Sequence, residues 1–138
     1  MNSFSLEVIT PDTVAFSGPV SRVSVPSTTG QLGILPRHIS LFAVLDAGEV
    51  IVSQTGQTTS IAIGGGFVQV TPSHTVILVS RAQHADHLNE TEIQSALARA
   101  KEALAKKPAG AEYISAAASL HQSLTDLKII RRLKKRHL

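Results

Sequence analysis

The sequence predicts an all-β N-terminal sandwich followed by a C-terminal antiparallel two-helix hairpin, with the first domain over residues 1–86 and the second over residues 87–138. Three observations lead there. Up to about residue 85 the chain is made of short apolar–polar alternations broken by Gly, Pro, Ser and Thr, the pattern of a sandwich or barrel. Beyond "HADHL" the apolar residues recur every three or four positions, the period of a helix. Charge divides at nearly the same point. Residues 1–88 carry three arginines against five acidic residues, a net −2, whereas residues 89–138 carry ten Lys/Arg against five Asp/Glu, a net +5. Such a split points to two parts with different partners.

The elements follow in order. Phe4, Leu6 and Val8 alternate with Ser3, Ser5 and Glu7, and Val23 and Val25 alternate with Arg22 and Ser24. "EVIVS" and "TTSIAI" flank "QTGQ", a Gly-containing hairpin loop. "GFVQVT" and "TVILVS" flank "PSH", with Pro72 where no ladder donor is needed. "TVILVS" does not alternate, so a strand buried on both faces is expected. Asn89 with Glu92 three residues on makes a capping-box pattern. Ile93, Leu97, Ala100 and Leu104 then form one helical stripe, and "KKPAG" ends it. A second helix is expected from about Glu112, with Ile114, Ala117, Leu120, Leu124, Leu127 and Ile130 as its apolar face. Both helices are rich in Ala, which favours helix but buries little area, so a weakly held hairpin is expected.

Composition narrows the function. A chain of 138 residues can bury a real core, and with no Cys it has no disulfide framework, zinc ribbon or thiol chemistry. "MNSFSLEVITPD" has no basic n-region or apolar h-region, so no signal peptide is expected. No apolar run is long enough for a membrane helix.

The segment "GQLGILPRH", Gly30 to His38, places Leu32, Ile34 and Leu35 among turn-forming residues. Its residues alone allow two readings: a turn folded back into its own core, or a docking tip stiffened by Pro36. "GGGF", Gly64 to Phe67, precedes a strand rather than a helix and has no following Lys. Close backbone packing or a bulge is therefore expected rather than a phosphate cradle. "HADH", His84 to His87, lacks a third firm metal ligand and reads as a solvated linker. No triad and no paired carboxylates argue for catalysis. "KIIRRLKKRH", Lys128 to His137, holds six Lys/Arg and no acid. The helix dipole accounts for one or two of them, not six. An acidic protein surface, nucleic acid or anionic lipid could match such a run, but no stacking aromatics accompany it.

"VPSTTGQLGILPRHISLFAVLDAG", "IGGGFVQV", the opening "LEVITPD" and the helical hairpin resemble the ε subunit of F-type ATP synthases, called δ in mitochondria. The resemblance implies a non-catalytic central-stalk (rotor) subunit with no active site of its own. Its sandwich would bind the γ subunit and sit on the membrane c-ring, coupling c-ring rotation to the catalytic head, while the hairpin restrains ATP hydrolysis. It assigns docking on the c-ring and γ to Gln31, Leu32, Arg37 and His38, with Gln31 near the c-ring and His38 near γ. Ile34 and Leu35 are expected to turn inward. Many members carry Glu where this chain has Gln31, which leaves a neutral hydrogen bond there. For the basic run the resemblance implies an acidic segment of the catalytic β subunits, with α nearby, as the partner of Lys128, Arg131, Arg132, Lys134, Lys135 and Arg136.

Some members bind ATP between the helices through an Ile/Leu-Asp-x-x-Arg-Ala motif. Aligned on Ile93, Gln94 and Leu97 replace the Asp and Arg; a shift of two residues gains Arg99-Ala100 but puts Ser95-Ala96 in place of Ile/Leu-Asp, so the Asp is lost in either register. No cofactor, metal or nucleic acid is expected, and ATP binding is expected to be weak or absent. The chain is expected on the cytoplasmic face of a bacterial cell membrane through the complex alone, with the thylakoid membrane as the alternative site. The competing reading is a stand-alone sandwich module with a basic helix for nucleic acid or anionic membrane.

Overall fold

The computed structural model describes the backbone of residues 3–136 and the side chains of residues 3–133. Two compact units are seen, Met1–Asp86 and His87–Leu138.

The first unit is a ten-stranded sheet folded on itself. The strands are β1 (Phe4–Ile9), β2 (Val14–Val20), β3 (Arg22–Ser27), β4 (Gly30–Ile34), β5 (Leu41–Leu45), β6 (Gly48–Gln54), β7 (Gln57–Ile63), β8 (Gly66–Val70), β9 (His74–Val79) and β10 (Ala82–His84). They run in the order β10-β7-β6-β3-β5-β8-β9-β1-β2, with β4 paired to β3 off this path. All pairings are antiparallel except β1 with β9. The two ends of the order meet across one side-chain bond: His84 Nε2 lies 3.1 Å from the Ala15 carbonyl oxygen. The sheet is thus nearly closed, which leaves little free edge for unwanted pairing.

Alternation drives this closure. Leu6, Val8, Val23, Val25, Ile34, Val50, Val52, Ile61, Ile63, Val68 and Ile77 are fully buried in one apolar core. The β6–β7 hairpin turns on Thr55-Gly56, where Gly56 takes φ 73°, a left-handed conformation that suits glycine.

The strand expected to be buried on both faces behaves differently. In β9, Thr75, Ile77 and Val79 are buried while His74, Val76 and Leu78 are only half-buried. Hydrophobicity alone misread it because Val76 and Leu78 lie on the outer surface of the sheet. Thr75 Oγ1 is buried with no partner, a cost carried inside the core.

"GGGF" is explained by close approach. A Cβ on Gly66 would lie 2.0 Å from the Leu78 carbonyl oxygen and 2.7 Å from Val79 Cα. No side chain fits, because β8 and β9 converge there.

The second unit holds α1 (Glu90–Ala105) and α2 (Ala111–Arg136). A short 3-10 turn, Ala85–His87, spans the boundary between the units. Asn89 caps α1, accepting from the backbone N–H groups of Thr91 and Glu92. Lys107 takes a left-handed conformation, φ 51°, and Gly110 follows at φ 63°. Ile93, Leu127 and Ile130 form a small core with Leu88 and Leu97 against it. The expected α2 stripe holds at Leu127 and Ile130 but not throughout: Ile114 and Leu124 are exposed, at 69% and 40%. The groove beside the start of α2 is lined from α1 by Ala96, Ala100 and Ala103 together with Arg99 and Lys106, and the small side chains cover little.

Candidate docking surface

The segment "GQLGILPRH" is not a single loop. Its first half is β4, hydrogen-bonded to β3 in the register Val23↔Ile34 to Ser27↔Gly30. Its second half is the β4–β5 connection. Gln31 therefore sits beside the β3–β4 turn, and Arg37 and His38 lie past the other end of the strand. A strand rises about 3.3 Å per residue, so the stretch of β4 from Gln31 to Ile34 spans about 10 Å, and the two groups lie toward opposite ends of the strand.

Each candidate residue has a distinct setting. Gln31 is exposed, and its Nε2 donates to Ser24 Oγ at 2.8 Å. Leu32 is half-buried and packs against the sandwich core. Ile34 is fully buried, but Leu35 is 57% exposed, against the expectation that both turn inward. Alternation is the cause: Leu32 and Ile34 face the core, so the next residue faces out. Arg37 is exposed, and its backbone N–H donates to the Pro72 carbonyl at 3.1 Å. The half-buried His38 places Nδ1 2.8 Å from the Ile39 carbonyl oxygen.

The structure adds a feature the sequence reading missed. Phe42 (62% exposed) and Val44 (55%) on β5 share one outer face with Phe67 (40%) on β8, and Leu35 and Ile39 (78%) are exposed in the β4–β5 connection that precedes it. The rings of Phe42 and Phe67 lie 5.3 Å apart and tilted by 31°. Phe67 is opposite Val44 on one side and Leu78 on the other, so the half-buried Leu78 and Val76 widen the apolar face. Exposed apolar residues scattered singly mean little, but a contiguous strip marks an interaction surface. At its margin His74 Nε2 and Glu7 Oε1 are 3.1 Å apart.

In the helical unit, Lys128, Arg131 and Arg132 are exposed on α2, while the side chains of Lys134, Lys135 and Arg136 lie outside the described residues. The helices enclose an open groove of about 730 Å³ near their turn, lined mainly by Ala and Ser with Arg99, Lys106 and Glu112. Gln94 is exposed, and Leu97 packs on the hairpin core. Among the described residues no group of three His, Asp or Glu side chains is placed to hold a metal. No described helix is long and apolar enough to cross a membrane.

A nearly closed sandwich with an apolar outer face, followed by a basic helical hairpin, is the build of a domain that offers surfaces to protein partners. Residues 3–85 match the family described as ATP synthase, Delta/Epsilon chain, beta-sandwich domain. The chain is 39% identical over 124 residues to the ATP synthase epsilon chain of Synechococcus sp. (strain WH7803), covering 88% of this chain and 91% of that one. It is 35% identical over 135 residues to the ATP synthase epsilon chain of Thioalkalivibrio sulfidiphilus, covering 96% of each. The chain belongs to the ATP synthase epsilon-chain family, whose members are non-catalytic subunits of the complex. The fold is also that of a chain in the Euglena gracilis mitochondrial ATP synthase OSCP/F1/c-ring structure, with a TM-score of 0.71 at 20% identity, covering 99% of this chain and 82% of that one. A chain of the Tetrahymena thermophila mitochondrial ATP synthase central stalk and c-ring is similar as well, with a TM-score of 0.61 at 14% identity, covering 92% of this chain and 96% of that one.

Proposed function

We propose that this chain is a rotor element that couples c-ring rotation to the catalytic head through γ, and that its hairpin restrains ATP hydrolysis. The observation that carries the docking role is the exposed apolar strip Leu35–Ile39–Phe42–Val44–Phe67. An apolar sheet face of this kind suits a shape-matched protein partner, and γ is its occupant in this reading. The separation of Gln31 from Arg37 and His38 fits two partners. Gln31, beside the β3–β4 turn, serves the polar loops of the c-ring, and Arg37 and His38 adjoin the γ face. Because Gln31 is neutral, its c-ring contact is a hydrogen bond, less sensitive to salt than an ion pair.

The hairpin role rests on charge and weak packing. Exposed Lys128, Arg131 and Arg132 begin the basic run, which Lys134, Lys135 and Arg136 continue. Six cations without an acid favour an acidic segment of the catalytic β subunits. The complex places the chain peripherally at the membrane, on the cytoplasmic face of a bacterial cell in this reading. Removing residues from Glu112 onward leaves the sandwich folded and bound to γ and raises ATP hydrolysis by the purified complex. Hydrolysis unchanged by that truncation contradicts the inhibitory role.

ATP does not control this hairpin in our reading. Exposed Gln94 and core-packed Leu97 stand in place of the motif Asp and Arg; Arg99 lines the groove between the helices, but the hydrogen-bonding carboxylate of the motif is missing in either register. Calorimetric titration of the full chain with ATP up to the millimolar range gives no saturable binding. A tight, saturable isotherm overturns this.

A further inference from the structure

We propose that Arg37 is the charged specificity determinant of the docking face, and that the partner presents a carboxylate to it beside an apolar strip. The inference rests on the docking role proposed above.

The backbone supplies the first argument. Arg37 has φ 63°, a left-handed conformation that disfavours any residue with a Cβ and suits glycine. It is held there by the bond from its N–H to Pro72 O, which ties the β4–β5 connection to the β8–β9 turn. Glycine would adopt this turn without strain. Strain retained at an exposed position points to a use for the side chain.

The surroundings say what that use is. Arg37 lies between the exposed Leu35 and Ile39, at the head of the apolar strip. Among the described residues its guanidinium makes no ion pair. It is one of only three cations in residues 1–88, which carry a net −2. Anionic membranes and nucleic acids are held by clusters of cations and would be repelled by such a unit. A lone guanidinium flanked by apolar side chains fits one protein carboxylate, gripped by paired N–H donors and shielded from water by its neighbours.

The test uses the full chain and the γ subunit of its own complex, with affinity measured from low to high salt. Arg37→Gly is expected to raise the melting temperature of the sandwich, because it relieves the turn. It is also expected to weaken γ binding about five- to tenfold at low salt and to flatten the salt dependence. Arg37→Lys keeps the salt dependence but recovers only part of the affinity, since it loses the paired geometry. A gain in stability with affinity and salt dependence unchanged overturns the proposal. So does binding of the wild-type chain to phosphatidylglycerol vesicles that Arg37→Gly abolishes. If the docking role itself is wrong, the wild-type chain fails to bind γ or replacing Phe42 and Phe67 has no effect. If only the Arg37 assignment is wrong, the phenylalanine effect persists.

Discussion

Replacing Gly66 with alanine should destabilise the sandwich by about 3 kcal/mol or more, because core overpacking costs about 1–3 kcal/mol and the contact here is with backbone. The added Cβ would lie 2.0 Å from the Leu78 carbonyl oxygen, 2.7 Å from Val79 Cα and 2.9 Å from the Leu78 carbonyl carbon. None of these atoms can rotate away. Either β8 or β9 must shift, and both line the core through Val68, Val70, Ile77 and Val79. Domains are stable by only about 5–15 kcal/mol, so the melting temperature should fall by roughly 12–24 °C. Gly65, one residue earlier, is the control. Its Cβ would meet only the Leu45 carbonyl oxygen at 3.6 Å, an ordinary contact. Gly65→Ala should change stability by less than about 1 kcal/mol. Thermal denaturation of both variants decides the matter, and equal effects would contradict the close-approach explanation.

The second large effect concerns recognition rather than folding. Phe42 and Phe67 are diagonal neighbours across β5 and β8, since Phe42 is opposite Gln69 and Val44 opposite Phe67. Their rings touch each other yet stay 62% and 40% exposed. Aromatic side chains bury about 150–250 Å² each, so covering the exposed parts of both would remove on the order of 200 Å² from water. At about 25 cal/mol per Å² this stabilises a complex by roughly 5 kcal/mol before ordering costs. Replacing both with serine should therefore weaken γ binding about a hundredfold or more. The sandwich should also lose stability, because the covered parts of both rings, again on the order of 200 Å², are lost together with the cross-strand pair, so affinities are compared under conditions where both chains are folded.

Where polar and apolar residues alternate, the sequence showed both the strand and its inward face. Val23 and Val25 in β3 and Phe4, Leu6 and Val8 in β1 were read correctly because Ser and Arg or Glu marked the outer side. Where every residue is apolar, that marker is missing. "LFAVL" in β5 hides Phe42 and Val44, which face out, beside Leu45, which is buried. "TVILVS" hides the outward phase of Val76 and Leu78 in the same way. Phe67 did carry a signal, because it shares the phase of Gln69 opposite buried Val68 and Val70. The exposed apolar face was thus largely invisible in the sequence, whereas Arg37 and His38 beside it were named as docking candidates through the resemblance alone.

Glycine and proline misled the reading of "GQLGILPRH". Gly30 to Ile34 forms a strand, and a Cβ on Gly33 would lie 3.6 Å from Arg22 Nη2. Pairing with β3 overrides the local turn preference. In the helices the period was legible, but how far each apolar residue is covered depends on its partner. Ile114 is 69% exposed although it falls on the apolar period, whereas Leu127 and Ile130 on the same period are buried.

The central claim is that the outer face of β5 and β8 is the γ-docking surface. It is tested most directly by titrating γ with the wild-type full chain and with the Phe42→Ser, Phe67→Ser double variant, folding being checked by circular dichroism. The predicted result is a folded variant whose affinity for γ falls about a hundredfold. A folded variant that binds γ as tightly as the wild-type chain would contradict the account.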